Sequence, residues 1–185
     1  MADAVQARPP RIEASAWLQP LPAATRLSFC GDEAAQNAAA IALGLPSSRT
    51  PCRAVSTGAR ASLWLGPDER LLLAPAAEQA TLLTILGSAL AGHAHSLVDI
   101  SQRQLAFELC GPNAALLLNA QCPLDLSLAA FPLHMCTRSV YAKSEIVLWR
   151  TAADRFHVEV WRSFSDYVLT LLRTVAREFP PTHGH

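Results

Sequence analysis

The feature that most constrains this chain is an internal repeat. Leu27-Ser28-Phe29 leads into Cys30-Gly31-Asp32-Glu33-Ala34-Ala35, and Leu105-Ala106-Phe107 leads, two residues later, into Cys110-Gly111-Pro112-Asn113-Ala114-Ala115, an offset of about 80. Both stretches read as a strand that runs into the start of a helix. Further on, Leu63-Trp64 with Asp68 and Arg70 is echoed by Leu148-Trp149 with Asp154 and Arg155, at an offset of about 85, and each stretch feeds an amphipathic helix. The chain therefore reads as two copies of one unit, over about residues 25–92 and 97–179.

Local patterns fill in the unit. In the first copy, strands are expected near 25–30, 52–57, 61–66 and 70–74, with helices near 32–43 and 76–91, and Gly66-Pro67-Asp68-Glu69 turns a hairpin. In the second, Leu105, Phe107 and Leu109 alternate with Gln104 and Glu108, the period of a strand with one buried face. Pro112 suits the first turn of a short helix carrying Leu116 to Leu118. Strands near 135–142, 145–150 and 155–161 follow. In the last of these, Phe156, Val158 and Val160 point inward, while Arg155, His157, Glu159 and Trp161 share the outward face. Ser163 with Asp166 has the form of a capping box, and Phe164, Tyr167, Val168, Leu171, Leu172 and Val175 form one helical stripe. The fold class is α+β: a duplicated strand-helix-strand-strand-strand-helix unit whose mostly antiparallel sheets are covered by helices.

The ends lie outside the repeat. Residues 1–24 hold Pro9, Pro10, Pro20 and Pro22 around Ile12, Trp17 and Leu18, too broken by proline for a helix or a central strand. They read as an arm, either frayed or ordered by docking Trp17 on a partner or on its own core. Residues 180–185 read as a flexible tail.

Charge and cysteine usage exclude several classes. Fifteen basic and fifteen acidic residues cancel, and no Lys or Arg run exists to follow a phosphate backbone or an anionic membrane, so no nucleic acid or membrane partner is expected. No stretch reaches the ~18 apolar residues of a membrane span and the N-terminus lacks the apolar core of a signal peptide, which points to the cytoplasm. Cys30, Cys52, Cys110, Cys122 and Cys136 fit neither a disulfide framework nor a paired zinc motif, and read as small hydrophobes in a reducing compartment.

Few polar groups suggest chemistry. His93, His95, His134 and Cys136 invite a metal reading, but a site needs further ligands in fixed geometry, and the first two lie in a Gly-flanked loop, so no metal is assigned. Gly111-Pro112-Asn113 lacks the glycine spacing of a pyrophosphate cradle. No nucleophile elbow occurs, and no catalytic residue is nominated. Asp99-Ile100-Ser101-Gln102-Arg103 joins a carboxylate, a hydroxyl and a guanidinium, either as a tight turn bonded to its own backbone or as a binding cluster. Trp161, with Arg155 and His157 on its face, is either a covered core position or the centre of a partner surface. Trp17, Arg155, His157 and Trp161 are the interface candidates.

Longer stretches carry a family resemblance. Ser62-Leu63-Trp64-Leu65-Gly66-Pro67-Asp68-Glu69, then Leu97-Val98-Asp99-Ile100-Ser101-Gln102-Arg103, then Cys122-Pro123-Leu124-Asp125-Leu126 resemble the gamma subunit of heterotetrameric sarcosine oxidase. The likeness continues through Phe131-Pro132, Met135-Cys136-Thr137-Arg138, Lys143, Glu145-Ile146-Val147-Leu148-Trp149 and Phe156-His157-Val158-Glu159-Val160-Trp161-Arg162-Ser163. More distantly, Asp99-Ile100-Ser101 and Gly111-Pro112-Asn113-Ala114-Ala115 resemble the folate-binding aminomethyltransferase of glycine cleavage, itself built from duplicated α+β units.

The resemblance implies an accessory, non-catalytic chain in a flavoenzyme that oxidatively demethylates sarcosine or a related N-methyl amino acid. FAD, FMN, NAD, tetrahydrofolate and zinc are then expected in the alpha, beta and delta subunits, its partners, and none in this chain. Such a subunit, expressed alone, is expected to associate or to be poorly soluble. A folate-binding module or one-carbon transferase is the alternative, with Asp99 and Arg103 as the residues to test. A metal-responsive regulator using His93, His95 and Cys136 is a third.

Overall fold

The computed structural model describes residues 17–178. The first half runs β1 (Trp17–Pro20), β2 (Ala24–Gly31), α1 (Glu33–Leu43), β3 (Ala54–Thr57), β4 (Arg60–Trp64), β5 (Glu69–Pro75) and α2 (Gln79–Ala89). The second runs β6 (His95–Asp99), β7 (Gln104–Cys110), α3 (Ala114–Asn119), β8 (Cys136–Tyr141), β9 (Ser144–Ala152), β10 (Arg155–Trp161) and α4 (Ser165–Ala176). They build two five-stranded sheets, ordered β3-β4-β5-β2-β6 and β8-β9-β10-β7-β1. Every neighbouring pair is antiparallel.

The two sheets match strand for strand, with one exchange. β6, which leads into the second copy, pairs with β2 of the first, and β1, which leads into the first copy, pairs with β7 of the second. Reciprocal backbone bonds follow the same symmetry. Leu21 N–H donates to Ala106 O at 2.9 Å and Ile100 N–H to Arg26 O at 2.9 Å; Ala54 N–H donates to His134 O at 2.8 Å and Cys136 N–H to Cys52 O at 2.9 Å.

The repeating unit is thus one strand longer than the sequence pattern suggested, and two expectations change. Trp17–Pro20, placed in the arm, is an edge strand, and His95, placed in a loop, opens β6. Both strands lie at a sheet edge, where a proline is tolerated and few side chains need burial, so neither shows apolar alternation. Residues 1–16 of the arm and the 180–185 tail lie outside the described residues.

Each sheet has helices on one face and the other sheet on its opposite face. Phe107, Leu109, Ile146, Leu148, Phe156, Val158 and Val160 pack with Leu117, Leu118, Val168 and Leu172 of α3 and α4. Leu27, Phe29, Leu72 and Ala74 pack with Ala35, Ala39, Leu82 and Leu86 of α1 and α2. The third core lies between the sheets, with Ala61, Leu63, Leu71 and Leu73 from one and Cys136 and Val147 from the other. The face of β10 read as outward is therefore covered at its centre, where Glu159 is only 1% exposed, while Arg155 and Trp161 at the strand ends are exposed. Alternation along a strand separates two faces but does not say what covers the second.

Local chemistry sets the helix ends. Asp32 Oδ1 accepts from Ala35 N–H at 2.9 Å, and Gly44, at φ 67°, closes α1 in the left-handed conformation. Gly31 lets β2 turn into α1, since a Cβ there would lie 2.8 Å from Ala35 Cβ. The capping box expected from Ser163 is not formed. A 3-10 turn over Arg162–Phe164 precedes α4, Ser165 Oγ donates to Arg162 O at 2.8 Å, and α4 has no side-chain cap. The stripe of α4 narrows accordingly, leaving Phe164 and Tyr167 exposed.

The second sequence echo is displaced by one residue. Trp64 lies opposite Arg70, whereas Arg150, not Trp149, lies opposite Phe156. Register decides the match: Glu69 and Arg155 pair with Cys30 and Cys110, so the next residues, Arg70 and Phe156, are equivalent. One residue of displacement moves a side chain to the other face, so Trp149 does not take the place of Trp64.

Candidate functional site

Two polar regions stand out, one between the sheets and one beneath α1. Between the sheets, Arg26 Nε meets Glu159 Oε2 at 2.6 Å, with both side chains buried, and His157 Nε2 lies 2.8 Å from Glu159 Oε1. His157 also stacks near Trp149, ring centroids 5.7 Å apart. Ser101 Oγ accepts from Arg26 N–H at 2.9 Å and donates to Asp99 Oδ1 at 2.6 Å.

The folate candidates are held in this frame without facing one another. Asp99 Oδ1 also accepts from Ser101 N–H at 2.9 Å, and Gln79 Nε2 donates to Oδ2. The Ser101 hydroxyl, first among these bonds, holds the Asp99 carboxyl below its ordinary value. That geometry is a carboxylate closing a bend on its own backbone. Arg103 turns the other way, its guanidinium 4.8 Å from the centre of the Trp161 ring.

The interface candidates separate. Arg155 is exposed and lies 3.5 Å from Glu108. His157 is half-buried in the layer between the sheets. Trp161 is 38% exposed, its Nε1 donating to Glu145 Oε1 at 3.4 Å, and Phe164 and Tyr167 beyond it are 43% and 40% exposed. Trp17 pairs through its backbone with Cys110. The Phe164 and Tyr167 exposure escaped the sequence reading because both fit the apolar period of α4; the missing signal was where the helix begins.

His93 and His95 are joined by a bond from the His95 ring to His93 O at 2.9 Å, far from the buried layer that holds Cys136. Among the described residues, no three His, Cys, Asp or Glu side chains gather into a metal-binding group. Burial pushes the Cys136 thiol up to about 12, so it stays protonated at neutral pH. At the first strand-to-helix turn, the Asp32 carboxylate takes the helix-end N–H that a phosphate would need. No helix among the described residues is long and apolar enough to cross a membrane.

Beneath α1, a cavity of about 320 Å3 opens between that helix, the segment 46–51 and the floor formed by β4 and β5. Arg70, 6% exposed, is in its wall; Nε donates to Gln36 Oε1 at 3.0 Å and Nη2 to Ser48 O at 2.7 Å. Burial lowers the pKa of this guanidinium from its usual value. Arg70 was read from the sequence only as part of the repeat, and the cavity was not read at all, because its walls come from separate segments of the chain.

Comparison with known proteins gives this architecture a family. The model of the sarcosine oxidase, gamma subunit family matches residues 29–178. The chain is 34% identical over 142 residues to the sarcosine oxidase subunit gamma of Corynebacterium sp. (strain P-1), covering 77% of this chain and 68% of the relative. Identity and coverage are the same for the subunit gamma of an Arthrobacter species.

Among solved structures, a chain of the heterotetrameric sarcosine oxidase from Corynebacterium sp. U-96, in complex with pyrrole 2-carboxylate, superimposes with a TM-score of 0.84 at 28% identity, over 94% of this chain and 89% of that one. The glycine cleavage system aminomethyltransferase T from Bartonella henselae shares the fold, with a TM-score of 0.67 at 14% identity, over 89% of this chain and 49% of that one. The expected aminomethyltransferase-like α+β fold is thus present. With its repeated sheets and its sequence matched from Phe29 to the end of the last helix, the chain belongs to the sarcosine oxidase gamma subunit family.

Proposed function

We propose that this chain is the gamma subunit of a cytoplasmic heterotetrameric sarcosine oxidase and serves it as a structural subunit. Its partners in this reading are the alpha, beta and delta subunits, which carry FAD, FMN, NAD, tetrahydrofolate and zinc, and the assembly demethylates sarcosine or a related N-methyl amino acid by oxidation. The observation that carries the reading is the likeness to a sarcosine oxidase chain over nearly the whole length, at a TM-score of 0.84.

The polar groups support a structural role. Asp99, Ser101, Arg26, Glu159 and His157 are engaged with one another and tie the sheets together. This reading takes the start of α4 as a partner surface, since Trp161, Phe164 and Tyr167 are exposed there and Arg103 lies against the Trp161 ring. Large aromatics with an arginine are the composition of interface centres.

Tagging this chain and co-expressing it with the genes for the larger subunits tests the proposal. A yellow assembly of four different chains that oxidises sarcosine is expected. A tagged chain that elutes alone, with flavoprotein in the unbound fraction, contradicts it.

A further inference from the structure

The cavity beneath α1 has a counterpart in the second copy, and the two differ in one informative way. In both copies, an arginine on the sheet, paired across the strands with an aromatic residue, donates to one carbonyl of the segment that follows the first helix. In the second copy, Arg150 donates through Nη1 to Ala153 O at 3.0 Å and through Nη2 to Leu126 O, and its guanidinium lies 4.5 Å from the centre of the Phe156 ring. There the space is filled: Leu126 and Phe131 are buried in the core beside Phe156. In the first copy, Arg70 holds Ser48 O in the same way with Trp64 opposite it, but a cavity of about 320 Å3 remains. Holding the segment in place therefore does not require the space to be open.

The charge of Arg70 points to what the cavity takes. Arg70 is 6% exposed and forms no ion pair with a carboxylate among the described residues. The acids at the rim are engaged or open to water: Asp32 caps α1, Glu33 pairs with Arg49 at 2.8 Å, and Asp68 is exposed. Arg150 is likewise buried without an ion pair among the described residues, but carbonyls and the Phe156 ring enclose its guanidinium, whereas that of Arg70 borders open space, and a planar guanidinium is suited to a carboxylate. The floor, formed by Phe29, Leu72, Val55 and Trp64 with Ala40 overhead, is apolar and includes one indole, while Gln36, Asn37, Ser47, Ser48 and Ser62 add polar groups at the sides and Arg49, paired with Glu33, a second cation. A cavity of this size sits at the lower end of small-molecule sites, and an apolar floor with a few placed polar groups is their usual make-up; Arg70 is the buried charge among them.

We infer that the first copy binds a small carboxylate with an apolar or aromatic body, its carboxylate on Arg70 and its body between Trp64 and the floor of β4 and β5. The inference does not depend on assembly, because every residue it uses belongs to this chain.

Equilibrium dialysis of labelled benzoate against the full chain, with benzamide as the neutral match, tests it. One benzoate per chain is expected, with benzamide at least about tenfold weaker. Arg70→Met lowers affinity by a similar factor, with its fold checked by circular dichroism. Ala40→Phe, which fills the cavity from the half-exposed face of α1 and leaves Arg70 intact, abolishes binding and keeps the test decisive should Arg70→Met fail to fold. Absence of benzoate binding, equal binding of benzamide, or binding that survives Ala40→Phe overturns the inference.

Discussion

Arg26 on β2 and Glu159 on β10 meet at 2.6 Å in the layer between the sheets, one from each copy of the repeat, and neither side chain is more than 3% exposed. The pair ties the two halves of the molecule together in the buried layer, as Arg138 and Glu69 do nearer the surface at 2.6 Å. Glu159 also accepts from the His157 ring, and the Arg26 backbone is bonded to Ser101, so the junction between copies is anchored at the same place.

Removing one partner leaves the other charge buried and unpaired. Glu159→Ala is expected to destabilise the chain by about 3–5 kcal/mol, read as a lower urea midpoint. The double variant Arg26→Met with Glu159→Leu restores much of that loss, since an apolar pair of similar volume avoids the desolvation cost. A double variant no better than the single contradicts the assignment.

Leu18 tests the exchange of leading strands. It lies 2% exposed on β1, within the core that β7, β10 and α4 build, although β1 belongs in sequence to the first copy. Leu18→Ala is expected to cost about 2–5 kcal/mol and to speed hydrogen exchange of β7 amides before those of β5. A neutral substitution would mean that the strand is dispensable.

Cys136 predicts a pH dependence. Its folded thiol is raised from 9.0 to about 12 by burial, so its contribution is fully present below pH 9 and is lost as pH rises from 9 toward 12, when the unfolded chain ionises first. The unfolding midpoint of the wild type should fall over that window more steeply than that of Cys136→Ala. In the native protein at pH 8, iodoacetamide labels the exposed Cys30 and leaves Cys136 unmodified, as mass spectrometry of tryptic peptides will show.

The aromatic patch gives a prediction about partners. Trp161→Ala combined with Phe164→Ser is expected to reduce recovery of the larger subunits with the tagged chain, while the thermal midpoint of the chain itself changes little, because both side chains are substantially exposed. Full recovery of the partners would move the interface elsewhere.

The division between what could be read from the residues and what could not follows from how far apart the interacting groups lie. Strands such as β10, with Phe156, Val158 and Val160 buried on one face, and the α1 start at Asp32 were legible because the pattern and the cap are local. β1 and β6 were not, because an edge strand with few buried side chains leaves no period to read. The covered centre of the β10 face was read as outward because Glu159 and His157 look solvated until Arg26, far away in the chain, supplies the counter-charge. The Asp99 cluster was legible as a turn, from the habit of Asp and Ser to bond their own backbone. The cavity beside Arg70 needs three segments to meet and had no local signal.

In the proposed role this chain contributes structure to an oxidase whose chemistry lies in the other subunits. Expressing those subunits with and without this chain, and measuring both assembly yield and sarcosine turnover per bound flavin, separates structure from chemistry. Omission is expected to lower the yield and heat resistance of the assembly while turnover per flavin is maintained. An intact assembly formed in full yield without the chain, or one whose turnover per flavin collapses, would contradict it.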